Sequence, residues 1–549
     1  MCTRRVRTIL LAGICLALAA QAQTGAALRQ IADAGRLDDL RWPDFSDYRL
    51  HVKKFYEPAN YAFAWIPSGK ATPQALELIG ILQHADEKGL SAADYDGPRW
   101  AERLKRLTSA SEADRARFDA ALTVCTMRYI SDLRIGKVNP KHFSFGLDIE
   151  TKKYDLPAFL RQRLVNAADV KSALNGVEPP YPGYKRAQAA LLKYLELARQ
   201  DDGEQLPVPA KTVAPGGAYP GVPRLTRLLR LLGDLPPDAP ATANPDMYTG
   251  ALVDAVKSYQ LRHGLQADGR LGAQTVKSLN VPLGFRMRQL KLTLERWRWL
   301  PQEFPAPPVF VNIPEFRLRA YNQEAGGPAA LEMNVIVGKA YRHETPVFAE
   351  TMEYVVLRPY WNVPPSIQRS EIVPAIRKDR EYIAKKGFEV TTQAGELVTA
   401  GRISDEVLAR LQAGKLAVRQ KPGPSNSLGL VKLIFPNSNN VYLHSTPAAS
   451  LFAQSRRDFS HGCIRVEKPV ELTAWALRNN SGWDLERVRQ EMNSGKDNQQ
   501  VNLAKPIPVL ILYGTAVVDD TGKAHFFDDI YGLDAALEKV LAKGYPYPG

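Results

Sequence analysis

The sequence predicts a multidomain α+β protein with a helical N-terminal half, a small helical module and a β-rich C-terminal domain carrying an insertion. Three observations lead there. A chain of 549 residues exceeds the size at which single hydrophobic cores stop growing. Apolar spacing is helical from about residue 27 to 205, whereas from about 305 short β-branched runs alternate with Gly, Pro and Asn. An apolar content of 45% supplies large cores and excludes wholesale disorder.

Residues 1–22 read as a secretory signal peptide. Arg4, Arg5 and Arg7 form a basic start, Ile9 to Ala20 an apolar stretch, and Ala20-Gln21-Ala22 a small-residue cleavage site. The apolar run is short for a membrane span, and no later stretch is long enough to make one. The protein is thus expected to be exported, with no transmembrane span after signal cleavage. Removing residues 1–22 takes away three arginines and no acids, lowering the formal charge from +14 to +11. A basic exported protein suits an anionic wall or membrane surface. Nucleic acid is disfavoured as a partner, because no Lys/Arg stripe with interleaved aromatics is present. Beyond the signal only Cys125 and Cys463 remain, which is no disulfide framework. Cys125, in ALTVCTMRYI, has a helical apolar setting and reads as a buried small hydrophobe.

In the helical half, ALELIGILQHADEKGL places Leu76, Ile79 and Leu82–Gln83 at three- and four-residue spacings, with Gly89 available to end the helix. LPVPAKTVAPGGAYPGVP, about 206–223, is dense in Pro and Gly and marks a boundary. In the next module YTGALVDAVKSYQLRHGL puts Leu252, Val256 and Tyr259 on one helical face. Asp268-Gly269 makes a turn, and AQTVKSLNVP gives a second helix with Val276 and Leu279 aligned. PVFVNIPEFRLRAY, LEMNVIVG, MEYVVLRPYWNVP, GLVKLIFP and NVYLHS then read as strands. Between Trp361 and Gly429 lies a charged, helix-like insertion long enough to act as a lid.

RRDFSHGCIRVEKP, residues 456–469, is the least ordinary stretch. Cys463 stands behind Ser460-His461-Gly462, with two arginines before it and Arg465 after. An unpaired thiol outside the cytoplasm risks oxidation, so its retention calls for a function. The thiolate is the nucleophile, and a nearby imidazole that accepts the thiol proton is the usual means of activation, giving an ion pair. NVYLHS supplies that imidazole: Val441 and Leu443 alternate with Tyr442 and His444, so His444 ends a strand on the face that need not be core. Gly462 permits a tight turn and leaves room for a substrate carbonyl, and the amides around Gly462 and Cys463 suit a developing oxyanion. Taken singly, each of these residues also fits a structural role. Zinc is a competing reading, but H-x-C with one distant histidine leaves no fourth ligand.

The full run HSTPAASLFAQSRRDFSHGCIRV resembles the L,D-transpeptidase catalytic domain, whose pattern is a histidine, some fifteen residues, then Ser/Thr-His-Gly-Cys. Here fifteen residues separate His444 from Ser460. Arg465 stands where many members have Asn, and the large Gram-negative branch carries Arg there. YEPANYAFAW and HADEKGLSAADY resemble the N-terminal scaffold of that branch, and LERWRWLP its link into the catalytic domain. PYWNVPPSI and PGPSNSLGLVKLIFPN resemble the borders of its insertion, and FFDDIYGLD its close. Ala255-Val256, Gln260, Gly264-Leu265, Asp268-Gly269, Gly272, Thr275 and Leu279-Asn280 are similar to a small helical peptidoglycan-binding domain.

The resemblance implies a signal peptide at 1–22, a helical scaffold domain at 23–215 and a peptidoglycan-binding domain at 219–285. The β-rich L,D-transpeptidase domain then covers 305–520, with its lid insertion at about 362–428, and a C-terminal tail covers 521–549. It further implies that Cys463 attacks a peptidoglycan stem tetrapeptide between its third residue and the terminal D-alanine, with His444 as base. The thioester then passes to the side-chain amine of a second stem, a 3→3 cross-link, and carbapenems acylate Cys463. By the same resemblance Ser445 orients the imidazole through its backbone carbonyl, and His461 and Gly462 complete the catalytic set. Arg465, Ser460, Tyr442, Trp361 and Asn426 are expected on the substrate-binding side. No metal or organic cofactor is required, since thiol and imidazole suffice. The expected partners are peptidoglycan stem peptides and glycan, with other cell-wall synthesis proteins as candidates. Water as acceptor would make an L,D-carboxypeptidase; a lipoprotein lysine or a free D-amino acid are further acceptors, and a non-catalytic wall-binding scaffold is the reading from another class. Sequence does not separate the acceptors, because that choice lies in lid shape and water exclusion.

Overall fold

The computed structural model describes residues 25–240, 244–323, 325–340 and 343–547, so the signal-peptide segment lies outside the described residues. The chain forms two compact units. One holds the residues up to His263, Gly269–Glu303 and the chain from Thr515 onward; the other holds Gly264–Asp268 and Phe304–Gly514.

The first unit is helical and is organised around Glu112–Ile135. Ser111 caps this helix by accepting from Asp114 N–H at 3.2 Å, Glu112 and Asp114 complement the dipole, and Gly136 at φ +81 ends it. From Phe118 to Ile130 every residue is buried, so even the polar groups there are internal. Asp119 accepts from Tyr56 Oη at 2.7 Å and from the Ala64 and Trp65 amides at 3.1 and 2.8 Å, while burial pushes its carboxyl up to about 6. Cys125 is buried on the same helix, and burial pushes its thiol up. The helix expected near Leu76 spans Pro73–Gln83 and starts at the Thr72 cap. Its buried stripe is Ala75, Leu78, Ile79 and Leu82; Leu76 lies one position off that stripe and is 49% exposed. A 3₁₀ turn, Ala85–Lys88, separates the helix from Gly89, which is left-handed at φ +73.

The small module contributes the helices Val222–Leu232, Ala251–Arg262 and Ala273–Leu279, and Leu252, Val256, Tyr259, Val276 and Leu279 are all buried. Gln260, polar yet 1% exposed, ties the module together: its amide donates to Arg270 O at 3.0 Å and Thr275 Oγ1 at 3.1 Å, and its oxygen accepts from Gly269 N–H at 2.8 Å. Asn280 exchanges two hydrogen bonds with the backbone of Leu206, at 2.7 and 2.8 Å, fastening the Pro-rich stretch to the module. Arg262 and Asp234 form a buried pair, with Nε 2.9 Å from Oδ1 and 3.0 Å from Oδ2. Removing one partner strands a charge, so Asp234→Ala is expected to lower the stability of this unit by about 3–5 kcal/mol, measured by urea unfolding of the full chain.

Residues 515–547 fold with the first unit and are more than a tail. A hairpin of Ala516–Val518 and Ala524–Phe526 precedes the helix Leu533–Leu541. Gln289 donates to Phe527 O at 3.0 Å, and Asp534 receives both Arg296 and the Thr515 hydroxyl.

The second unit is built from strands β1 (Val309–Asn312), β2 (Arg317–Ala320), β3 (Leu331–Gly338), β4 (Phe348–Leu357), β5 (Trp361–Asn362), β6 (Phe388–Thr391), β7 (Leu397–Thr399), β8 (Ala417–Gln420), β9 (Val431–Ile434), β10 (Leu443–His444), β11 (Asp458–Ser460), β12 (Ile464–Val466) and β13 (Gln499–Leu512). Nine of them form one sheet in the order β11-β3-β12-β10-β9-β4-β13-β1-β2, and β2 also pairs with β3. The sheet therefore closes into an eight-stranded barrel with β11 appended at β3, which removes all but one edge. Its parallel pairs are β1–β13, β10–β12 and β11–β3.

The insertion is not merely helical. β5, β8, β6 and β7 form a separate four-stranded sheet, and with the helix Asp405–Gln412 they enclose a core that includes Ile376, Ile383, Val390, Leu411 and Val418. GFEVTT and LAVRQ hold β6 and β8, but each of these strands is only four residues long amid charged neighbours, too short for period-two alternation to stand out.

Candidate active site

β10 is two residues long, yet its register assembles the site. It pairs in parallel with β12, His444 opposite Arg465, and antiparallel with β9, His444 opposite Lys432. The Ile464 N–H to Tyr442 O bond at 3.1 Å carries this pairing one residue further. Cross-strand neighbours share a face, so Tyr442, His444, Cys463 and Arg465 project from the same side of two adjacent strands.

Side chains tie down the turn that presents the nucleophile. Gly462 adopts φ +115, a conformation that side chains other than glycine's rarely take. Ser460 Oγ donates to Cys463 O at 2.6 Å and accepts from Gly462 N–H at 3.2 Å. Thr345 Oγ1 donates to Gly462 O at 2.7 Å and accepts from Gly338 N–H at 2.9 Å, anchoring the turn to the end of β3.

His444 is 4% exposed, and its Nδ1 lies 2.6 Å from the Ser445 carbonyl oxygen. A carbonyl only accepts, so the proton sits on Nδ1 and Nε2 keeps its lone pair. Burial, reinforced by the Arg465 charge, pushes the imidazole down to about 3 against the opposing pull of the Ser445 and Leu428 carbonyls. Burial also pushes the Cys463 thiol up, while the Tyr442 backbone and hydroxyl and the Arg465 charge favour the thiolate. Tyr442's own hydroxyl is pushed up by burial and by the neighbouring sulfur, so it remains a donor. Cys463 Sγ meanwhile donates to Asn440 O at 3.6 Å. Both shifts favour a neutral thiol and a neutral imidazole over the ion pair expected for a catalytic cysteine. Alkylation of Cys463 by iodoacetamide in the free protein is accordingly expected to stay slow through neutral pH and to rise only above about 8.5, the ordinary thiol range. A rate already at plateau near neutral pH would reveal a preformed thiolate.

Arg465 is half-buried, and its Nε is enclosed with no hydrogen-bond partner. His461 faces the insertion: its Nε2 lies 2.8 Å from Glu371 Oε1, and the His343 ring packs against it edge-on at 4.7 Å. Two residues expected to meet substrate are engaged within the insertion. Asn426 is fully buried; its amide donates to Lys421 O at 2.8 Å and Pro359 O at 3.1 Å, and its oxygen accepts from Leu428 N–H at 2.8 Å. Backbone groups in a tight closing loop need such a partner, so Asn426 fastens the base of the insertion. Trp361 is half-buried on β5 and packs against Phe388 in the insertion's core, ring centres 6.0 Å apart. Sequence reasoning missed Thr345, Lys432, Glu371 and the Asn440 carbonyl. Only Asn440 left a signal, the NSNN turn in which it adopts φ +54.

A barrel that displays Cys463 and His444 on adjacent strands defines a class. Residues 307–509 match the L,D-transpeptidase catalytic domain, residues 51–191 the scaffold domain, and residues 219–279 a domain described as "Putative peptidoglycan binding domain". The chain thus carries a scaffold domain, a peptidoglycan-binding domain and an L,D-transpeptidase catalytic domain. It is 31% identical over 293 residues to a Haemophilus influenzae protein described as "Putative L,D-transpeptidase". That match covers 52% of this chain and 58% of the relative, so the chain spans little more than half the length of that protein. Among the described residues no helix is long and apolar enough to cross a membrane.

Proposed function

We propose that this protein is a periplasmic L,D-transpeptidase that forms 3→3 cross-links in peptidoglycan through a Cys463 acyl-enzyme. The observation that carries the reading is the shared face of β10 and β12, from which a buried, carbonyl-anchored His444 and a thiol presented by the Gly462 turn both project. As Sγ attacks the carbonyl carbon of the third stem residue, His444 Nε2 takes the thiol proton. The C–N bond to D-alanine breaks, and the same proton leaves on the D-alanine amine. The resulting thioester is attacked by the side-chain amine of a second stem, which forms the cross-link and frees the sulfur.

Charge develops in the transition state, because both shifts favour a neutral thiol and a neutral imidazole at rest. The Cys463 N–H, beside a Gly462 amide already engaged by Ser460, is the donor we assign to the oxyanion. The enclosed Arg465 Nε suits a substrate carboxylate through its planar fork. Peptidoglycan stem peptides are the substrate, and the peptidoglycan-binding domain favours glycan as a second contact.

The test is mass spectrometry of products from the mature protein mixed with purified disaccharide-tetrapeptide. A cross-linked dimer lacking one D-alanine is the expected product. Tripeptide without dimer would mean that water is the acceptor, and unchanged substrate would overturn the enzymatic reading.

A further inference from the structure

Two imidazoles lie close to Cys463 in sequence or register, and their surroundings differ. His444 is 4% exposed, faces the Arg465 and Lys432 side chains across its two strand pairings, and pairs with no carboxylate among the described residues. His461, two residues before the nucleophile, has a third of its side chain exposed and meets Glu371 of the insertion at 2.8 Å. A carboxylate accepts only, so Glu371 holds the His461 proton on Nε2 and leaves Nδ1 with a lone pair. His343, packed edge-on at 4.7 Å, restricts the ring on another side. A bulky acceptor stem arriving from solvent meets the exposed imidazole more readily than the buried one. That imidazole is also oriented by a carboxylate, whereas the strand partners that face His444 carry positive charge.

We propose that His461 is the base for the acceptor amine and that Glu371, borne on the insertion, is its positioning residue; this rests on the transpeptidase reading above. In the second half-reaction the amine nitrogen bonds to the thioester carbon as the C–S bond breaks. The amine proton passes to His461 Nδ1, the sulfur leaves as thiolate, and it is reprotonated as His461 releases a proton. The insertion thereby does more than cover the site: it completes the acid–base pair that separates an amine acceptor from water, which needs no stem peptide to be placed.

The experiment reads the two half-reactions separately in the full chain. D-alanine release from disaccharide-tetrapeptide reports acylation, and the ratio of cross-linked dimer to D-alanine released reports aminolysis. Glu371 is half-exposed, so Glu371→Gln keeps the shape of the insertion. In that variant the dimer ratio is expected to fall at least about tenfold, with Glu371→Asp recovering part of it. An unchanged ratio in Glu371→Gln, or an equal fall for Gln and Asp, overturns the assignment. Absence of D-alanine release from the unsubstituted protein would instead overturn the transpeptidase reading itself, so the two failures are distinguishable.

Discussion

Replacing Cys463 with alanine is expected to abolish D-alanine release from tetrapeptide, a loss of at least about 10⁴-fold, while the thermal midpoint moves by no more than about 3 °C. The thiol is only partly buried, and its polar contacts, the long one to the Asn440 carbonyl and that with Tyr442, are weak, so the fold loses little with it. Gly462, Ser460 and Thr345 hold the turn without help from the sulfur. Catalysis loses everything, because no other group in the site can form the acyl link. Cys463→Ser should be nearly as inactive: a hydroxyl is a far weaker acid than a thiol, and an imidazole held down to about 3 is a poor base for it. Intact-protein mass after incubation with a carbapenem gives a second reading of the same atom. One covalent adduct is expected on the unsubstituted chain and none on either variant. Substantial turnover by Cys463→Ala would remove the mechanism.

The turn that presents Cys463 was legible in the sequence for a physical reason. A nucleophile behind a turn glycine, followed by a strand, is a local arrangement, and Ser460, Gly462 and Cys463 interact within four residues of one another. The β10–β12 pairing was not written locally, because the alternation in NVYLHS marks a face but no partner, and Val466 and Leu443 read alike in any register. Burial of His444 followed from that pairing and was missed: the face opposite the core is lined by the site and is itself closed to water. The packing of Asn426 and Trp361 into the insertion was not legible for a related reason. Both border the insertion, but whether a border residue turns inward depends on which backbone groups need partners, and these are set by the strands β5 and β8. Glu371 and Thr345 lie more than eighty residues from Cys463 along the chain and carry no motif, so only the closed barrel and the folded insertion bring them to it. In the small module Gln260 and Thr275 were recognisable as a pair by resemblance, and their bond shows why a buried glutamine belongs there.

His444→Asn is expected to slow acylation by about 10²- to 10⁴-fold at neutral pH, with the loss shrinking as pH rises. Asparagine is chosen because its amide can still donate to the Ser445 carbonyl in place of Nδ1, so the site keeps the hydrogen bond that His444 makes at 2.6 Å. What disappears is the Nε2 lone pair. The Cys463 thiol, already pushed up by burial, then has no internal acceptor for its proton and must ionise to solvent. Each unit of pH below its folded value therefore costs the variant about tenfold in reactive thiolate. The unsubstituted protein is spared this dependence, because it transfers the proton within the site. The acylation rate with a carbapenem, followed by intact mass at several pH values, should climb steadily with pH for His444→Asn and stay flatter for the unsubstituted chain. Parallel profiles with equal rates at neutral pH would show that His444 takes no proton from Cys463. A variant that stays inactive even at alkaline pH would mean that the imidazole also positions substrate, and that the N–H···O anchor to Ser445 does not by itself preserve the site.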